Sequence, residues 1–444
     1  MSPRKDGALR LPWDHGQGVD RRLGIRNRAF DVARRMREAG KRMPLPPEVL
    51  TPGTWDDGVG EWSLPRGVAW DDAEDATVLP PSERLTTSLV LRDYQRGALT
   101  PWWRGERNGV VEAPCGAGKT AIGIAALAVC ETPGLVLVHT RDLLNQWTER
   151  ANEVGLSATP ISEGAGPTTG RIVVATMQTV GGWDPEQRRK WGKHFGLVVV
   201  DEVHHAPCET MGACLYDLPG RWRLGLTATP DRVDGLTPWI HAHMGPTVHV
   251  IERAALVKAG RILVPVVRRM RSGWTAEDDL DYGDMVTAAT QDEERTGRIL
   301  DVVLRRAREG RRVLLLTERK AHAERMGTLL AEAGIATVVV HGEVTPKKRK
   351  ERIAAVDRGD ARVLVATQLA DEGLDLVGLD TLVLAAPQKH VSRLEQRVGR
   401  ICRPMEGKPT PEVWDFTDGG WAEKLWHARK RVYARLGCTI EDSR

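Results

Sequence analysis

The stretch Ala113-Pro114-Cys115-Gly116-Ala117-Gly118-Lys119-Thr120 constrains this chain more than any other. Val110-Val111 leads into it as the end of a buried strand. Ala121-Ile122-Gly123-Ile124-Ala125-Ala126-Leu127 follows as a helix. A strand, a glycine-rich turn and a helix opening on Lys-Thr form a phosphate-binding loop. The glycines let the backbone curl until several N–H groups point inward at a polyphosphate, and the helix N-terminus adds partial positive charge. On this reading Pro114, Cys115, Gly116, Ala117, Gly118, Lys119 and Thr120 cradle the phosphates. Lys119 reaches the outer ones and the Thr120 hydroxyl ligands Mg²⁺. Ala113 stands where the pattern has its first glycine, ahead of the tight part of the turn, where a small Cβ is tolerated.

Short apolar runs alternate with helical stretches on both sides of this loop. Leu135–Thr140, Ile172–Thr176, Leu197–Val200 and Arg223–Leu226 read as strands, with a helix from Asp142 to Glu153. Continuous apolar strands of this kind lie in a parallel sheet covered on both faces, with ligands at the carboxyl ends of the strands. A second run starts near residue 261, with strands at Val313–Leu316, Thr337–Val340, Val363–Ala366 and Thr381–Leu384 and a closing helix from Trp421 to Leu436. The expected fold is α/β: two tandem domains of parallel sheet with helices on both faces, at 85–252 and 253–444, behind a small N-terminal accessory segment, 1–84.

That segment differs from the rest. Residues 1–42 hold twelve Lys/Arg and five Asp/Glu, whereas 43–83 hold one Arg and nine Asp/Glu. A helix is expected in the basic part, with Ile25, Ala29, Val32, Ala33 and Met36 on one face and Arg26, Arg28, Arg34, Arg35 and Arg37 around it. The acidic part, with several Pro and with Trp55, Trp62 and Trp70, reads as loops with a short hairpin. The basic helix either touches nucleic-acid phosphates or pairs with the acidic segment.

Composition excludes more than it assigns. The net charge of +4 does not announce a nucleic-acid binder, and fifty Arg against fourteen Lys fit a GC-rich coding bias. No apolar run approaches 18 residues, so no membrane span is expected, and the N-terminus lacks a secretory signal. Six cysteines without a CxxC pair argue for a reducing compartment.

The partner of a phosphate loop in an ATPase is an acidic pair at the end of a buried strand. Asp201 and Glu202, after four aliphatic residues, are that pair: Asp201 holds Mg²⁺, and Glu202 orients or deprotonates the attacking water. Asp201-Glu202-Val203-His204 resembles the DExH box of superfamily 2 helicases, and further motifs stand around it in family order. Leu91-Arg92-Asp93-Tyr94-Gln95 resembles the adenine-contacting segment, which assigns Arg92 and Gln95 to ATP. Thr227-Ala228-Thr229 resembles the motif that links ATP state to the nucleic-acid track, making His204, Thr227 and Thr229 coupling residues. Val365-Ala366-Thr367-Gln368 through Glu372-Gly373-Leu374-Asp375 resembles motif V, which adds Gly373 and Asp375 to the ATP site. Gln396-Arg397-Val398-Gly399-Arg400-Ile401-Cys402-Arg403 resembles the QRxGRxxR of motif VI.

The resemblance covers about residues 88 to 420 and implies two RecA-like domains with ATP and Mg²⁺ between them. Arg400 and Arg403 would then be arginine fingers that neutralise charge on the transferred phosphoryl group, with Gln396 at the γ-phosphate or the attacking water. It also implies that Thr140, Arg141, Thr176, Gln178, Thr317, Arg319, His341, Gly342 and Thr367 grip nucleic-acid phosphates without reading bases. The Leu-Arg-x-Tyr-Gln opening, the His-His after Asp-Glu and the short spacing resemble the branch of XPB-like repair helicases, phage UvsW-like helicases and restriction-enzyme motor subunits. Small size without a nuclease domain points to the UvsW-like kind. The expected protein is a monomeric ATP-dependent helicase or translocase on DNA, forked or branched, in the cytoplasm of a bacterial or phage-infected cell. The alternatives are an RNA-remodelling DExH ATPase, an ATP-gated nucleic-acid-binding protein and the motor of a restriction-type nuclease complex.

Overall fold

The computed structural model describes residues 74–205, 214–228, 235–367, 376–389 and 391–443, together with short backbone segments between Arg4 and Pro65. The chain divides into two compact units, Met1–Pro114 with Gly118–Ile251, and Glu252–Arg444, with which the three residues Cys115–Ala117 are grouped.

In the first unit α1 (Asp93–Arg104) precedes β1 (Asn108–Glu112), the phosphate loop and α2 (Lys119–Val129). There follow β2 (Gly134–Val138), α3 (Arg141–Glu153), β3 (Ala158–Ile161), β4 (Ile172–Thr176), α4 (Met177–Gly181), α5 (Pro185–Gly192) and β5 (Leu197–Asp201). A 3-10 turn (Val203–His205), β6 (Trp222–Thr227), α6 (Thr237–Met244) and β7 (Thr247–Val250) complete it. The seven strands form one parallel sheet in the order β3-β4-β2-β5-β6-β1-β7. β2, β4 and β5 are buried at every position, because helices cover both faces. On one face Leu135, Leu137, Val173, Ala175, Val198 and Val200 pack with Trp191, Phe195, Leu215 and Ile240. All strands run the same way, so His139, Thr176, Asp201 and Thr227 gather along one edge of the sheet.

The second unit repeats the plan. Its elements are α7 (Arg253–Lys258), β8 (Val266–Ala276), α8 (Tyr282–Gln291), α9 (Glu293–Arg308), β9 (Val313–Thr317), α10 (Lys320–Glu332), β10 (Thr337–Val340) and α11 (Pro346–Arg358). β11 (Val363–Thr367), β12 (Thr381–Leu384), α12 (Val391–Ile401), β13 (Glu412–Gly420), α13 (Glu423–Arg435) and β14 (Thr439–Ser443) follow. The strands are again all parallel, in the order β10-β11-β9-β12-β13-β8-β14. Three of them, β8, β13 and β14, were not expected from the sequence. β8 reads Val-Val-Arg-Arg-Met-Arg-Ser-Gly-Trp-Thr-Ala and β13 carries Asp415 and Asp418, so neither presents a continuous apolar run.

The N-terminal backbone corrects one expectation. Ile25–Arg26 is not the start of the expected helix but pairs antiparallel with Val49–Leu50, whereas Arg34, Arg37 and Glu38 in the same stretch are helical. The expected hairpin is present, Thr54–Asp56 against Glu61–Pro65. That hairpin continues into Ala8–Pro12 and Arg4–Lys5, and Arg4 and Lys5 lie in register with Glu74 and Asp75. The basic and acidic stretches therefore share one sheet. Val78 joins this end of the chain to the first unit, bridging to Gly220 between hydrogen bonds with Pro219 and Arg221.

Candidate active site

The phosphate loop takes the shape its glycines allow. Gly116 (φ 87°) and Gly118 (φ 81°) both adopt the left-handed conformation, and Gly118 caps the N-terminus of α2. A Cβ on Gly118 would lie 2.4 Å from Gln95 Nε2, so the turn also needs glycine to admit the Gln95 side chain. Gln95 is nearly buried, and its Oε1 accepts the backbone N–H of Arg92 at 3.0 Å, which fixes the start of α1. Gly118 and the adenine segment are thus locked together within the first unit.

The acid pair stands at the carboxyl end of β5. Glu202 adopts φ 49°, a left-handed conformation rare for a residue with a Cβ, and its N–H is held by Asp201 Oδ1 at 2.9 Å. Lys119 Nζ lies 3.3 Å from Glu202 Oε1, and His204 Nδ1 lies 3.4 Å from Glu202 Oε2. The same His204 nitrogen is 3.1 Å from Thr227 Oγ1, so the DExH histidine bridges the glutamate and the end of β6. His139, His205 and His204 stack in a row, with ring centroids 4.6 and 4.2 Å apart.

Burial and then the neighbouring Glu202 charge raise the pKa of Asp201, and Lys119, the Trp147 N–H and the Glu202 N–H offset this only in part. Burial also raises Glu202, but Lys119, His204 and His139 outweigh it and hold the glutamate below the usual carboxylate range. An ionised, nearly buried glutamate beside a lysine suits a group that orients or accepts a proton from water. Glu202 Oε2 is buried and accepts no hydrogen bond from the described residues, with His204 Nδ1 3.4 Å away. The two left-handed glycines, a helix N-terminus, Lys119 and the carboxylate pair fit a nucleoside triphosphate with its divalent cation. Asp201 and the Thr120 hydroxyl are the oxygens that would hold Mg²⁺.

The other expected residues fall into three groups. Thr140, two residues past β2, and Thr176, the last residue of β4, cap the following helices, accepting from Leu143 N–H at 3.2 Å and Thr179 N–H at 3.4 Å. Arg141, beside Glu163, and Gln178, which donates to the His139 carbonyl at 2.8 Å, stand on the same rim. In the second unit Thr317 is buried against His322, its Oγ1 2.8 Å from Nδ1, and Thr367 closes β11. Arg319 donates to the Gly283 carbonyl at 2.7 Å and to Thr287 Oγ1 at 3.1 Å. His341 lies 3.5 Å from Glu324, and Gly342 is exposed. On α12, Gln396 and Arg400 share the partly exposed face, one turn apart, and Arg403 follows the helix end; Arg397 points inward to Gln388. Thr229, Gly373 and Asp375 lie outside the described residues, as do Gln368 and Glu372.

One participant is invisible in the sequence. The Trp147 indole N–H donates to Asp201 Oδ2 at 2.7 Å. Trp147 shares the apolar face of α3 with Leu144 and Ala151, a spacing that by itself marks only core.

Comparison with known proteins agrees with this geometry. Residues 88–232 match the family model described as type III restriction enzyme, res subunit, and residues 294–405 match the helicase conserved C-terminal domain. The chain is 27% identical over 366 residues to the DNA 3'-5' translocase XPB2 of Sulfurisphaera tokodaii, covering 73% of this chain and 81% of that one. It is 29% identical over 334 residues to the DNA 3'-5' helicase XPB of Kineococcus radiotolerans, covering 71% and 57%. Among solved structures, the ATP-dependent type ISP restriction-modification enzyme LlaBIII bound to DNA superposes with TM-score 0.61 at 16% identity, over 79% of this chain and 30% of that one. With two tandem RecA-like sheets, an ordered motif set and these relatives, the chain belongs to the superfamily 2 helicases, in the branch of XPB-like helicases and restriction-enzyme motors.

Proposed function

We propose that this protein is a DNA translocase that moves 3'→5' on ATP hydrolysis and remodels forked or branched DNA. The observation that carries the reading is the assembly of Lys119, Asp201, Glu202, His204 and Thr227 at one edge of the first sheet. Residues 85–252 act as the ATP-binding domain and 253–444 as the C-terminal motor domain. Arg92, Gln95 and the loop 114–120 bind ATP, with Gly373 and Asp375 contributing from motif V. Thr120 and Asp201 hold Mg²⁺, which when bound screens the phosphate charge. Glu202 orients and deprotonates the attacking water, and Lys119 neutralises the outer phosphates. Gln396, Arg400 and Arg403 serve the transferred phosphoryl group during turnover. His204, Thr227 and Thr229 couple the ATP state to the phosphate grips at Thr140, Arg141, Thr176, Gln178, Thr317, Arg319, His341, Gly342 and Thr367.

DNA is favoured because the relatives at 27% and 29% identity are named as DNA enzymes, and they carry the stated direction as well. The protein works as a monomer in the cytoplasm of a bacterial or phage-infected cell; among the described residues no helix is long and apolar enough to cross a membrane.

The test is ATP turnover across single-stranded, duplex and forked DNA and RNA of matched length, with Glu202→Gln as control. Forked DNA should stimulate most, and a tailed duplex should be displaced only from its 3' tail. Glu202→Gln should bind ATP and lose turnover. Equal stimulation by RNA would identify an RNA-remodelling ATPase. Stimulated turnover that survives in Glu202→Gln would reject the site.

A further inference from the structure

Helix α3 carries two features that the sequence keeps apart. Thr140 caps it and Arg141 opens it, at the rim where nucleic acid is proposed to bind. Two turns on, about 10 Å along the axis, Trp147 sits almost completely buried with its N–H on Asp201 Oδ2 at 2.7 Å. The other carboxylate oxygen, Oδ1, is held by the Glu202 N–H at 2.9 Å. Both oxygens are therefore fixed and the carboxylate plane cannot turn. The indole is itself wedged in place: a Cβ on Gly123, in the middle of α2, would fall 2.4 Å from Trp147 Cη2. Glycine inside a helix is unfavourable unless something needs the space, and here the space is filled by this ring. α2, the helix that carries Gly123, begins at Lys119.

We propose that Trp147 is a positioning residue that sets the Asp201 carboxylate to receive Mg²⁺ and ties it to the nucleic-acid rim through α3. This rests on the reading of Asp201 as the metal-holding carboxylate. Donors behind metal-binding carboxylates fix their orientation, and their removal costs about 10–100-fold in metal affinity or activity. The helix is short and stiff, so a shift at Thr140 and Arg141 on strand engagement moves the indole and, through one hydrogen bond, Asp201. A tryptophan that only filled the core would contribute volume and would be replaceable by any ring of equal shape.

The experiment separates shape from hydrogen bond. In the full-length protein, Trp147 is replaced by benzothienylalanine, which keeps the bicyclic shape and lacks the N–H donor. Trp147→Phe and Gly123→Ala are made in parallel, the last displacing the indole without removing it. Binding of a fluorescent ATP analogue is titrated against Mg²⁺, and turnover is measured with and without forked DNA. In all three variants half-saturation by Mg²⁺ should rise by about 10–100-fold and the ratio of stimulated to basal turnover should fall. The isosteric variant should melt at the wild-type temperature. Wild-type Mg²⁺ dependence in that variant would overturn the proposal. A shifted Mg²⁺ dependence with an unchanged stimulation ratio would overturn the link through α3. Wild-type nucleotide binding that needs no Mg²⁺ would instead overturn the reading of Asp201, and this proposal with it.

Discussion

At the scale of single residues, the first unit places its strain and its shifted carboxylates together. Glu202 holds a left-handed backbone, faces Lys119 and His204, and adjoins an aspartate whose proton affinity burial has raised. Such a combination is costly for folding and persists where surrounding packing over-determines it. His322 shows the same physics in the second unit, at the start of α10. Its Nδ1 meets Thr317 Oγ1 at 2.8 Å and its Nε2 is buried without a hydrogen-bond partner among the described residues. Burial, then Arg295 and Arg325, hold its pKa at about 4 instead of 6.5. Above pH 6.5 the imidazole is neutral folded or unfolded. As pH falls from 6.5 toward 4 the unfolded chain takes up a proton that the native protein refuses, so stability is lost across that window, by roughly 3 kcal/mol in full. His322→Gln should flatten the fall of urea-unfolding free energy between pH 6.5 and 4 by the slope of about one proton. A variant with the wild-type slope would show that another group carries it.

At the scale of elements, β13 explains how a central strand can be acidic. Asp415 is completely buried, and its oxygens accept from Arg429 Nε at 2.8 Å, Arg429 Nη2 at 2.7 Å and the Tyr433 hydroxyl at 2.7 Å. Asp418 is met by Arg295 Nε at 2.7 Å, and Arg295 also donates to the Ala385 carbonyl at 2.6 Å. These bidentate pairs fasten α13 and α9 to the sheet, and each buried charge depends on its partner. Arg429→Met leaves Asp415 ionisable and buried with only Tyr433, and should cost about 3–5 kcal/mol. For a unit of this size that lowers the melting temperature by roughly 10 °C. Replacing both members, Arg429→Met with Asp415→Leu, should recover much of the loss, because no uncompensated charge remains. Calorimetry on the single and double variants distinguishes this pairing from a simple loss of side-chain packing, in which the double variant would be the worse of the two.

At the scale of the molecule, the N-terminal arm was open to two uses, and the backbone favours one. Arg4–Lys5 and Ala8–Pro12, from the basic stretch, share a sheet with Glu61–Pro65 and Glu74–Asp75, from the acidic one. Deleting residues 1–42 removes two strands of that sheet and a charge balance of +7. The expected result is a lower melting temperature with the salt dependence of DNA binding unchanged. A log–log salt slope that flattens by several units, about 0.9 for each lost phosphate contact on duplex DNA, would show instead that the arm grips the backbone.

What the sequence determined by itself is local. The turn at Gly116 and Gly118, the run of aliphatic residues before Asp201-Glu202 and the alternation of strand with helix are written in neighbouring residues, and they were enough for the α/β class and the superfamily. What only the tertiary structure decided depends on groups distant in the chain. Asp415 and Asp418 of β13 are met by Arg429 and Arg295, and Arg268 and Arg269 of β8 pair with Glu412 of β13 and with Glu441 and Asp442 of β14, so the patterns of these strands hide what the sheet reveals. Only the start of the expected basic helix gave way, Ile25–Arg26 pairing with Val49–Leu50, while Arg34, Arg37 and Glu38 further on are helical; a short amphipathic pattern leaves the choice of partner at its end to the surroundings. Trp147 reads as core in any linear view, and its link to Asp201 exists because a parallel sheet sets β2 beside β5 and brings the helix that follows β2 against the end of β5. Hydrophobic periodicity reports which face of an element is buried, whereas the partner waiting there is fixed by topology.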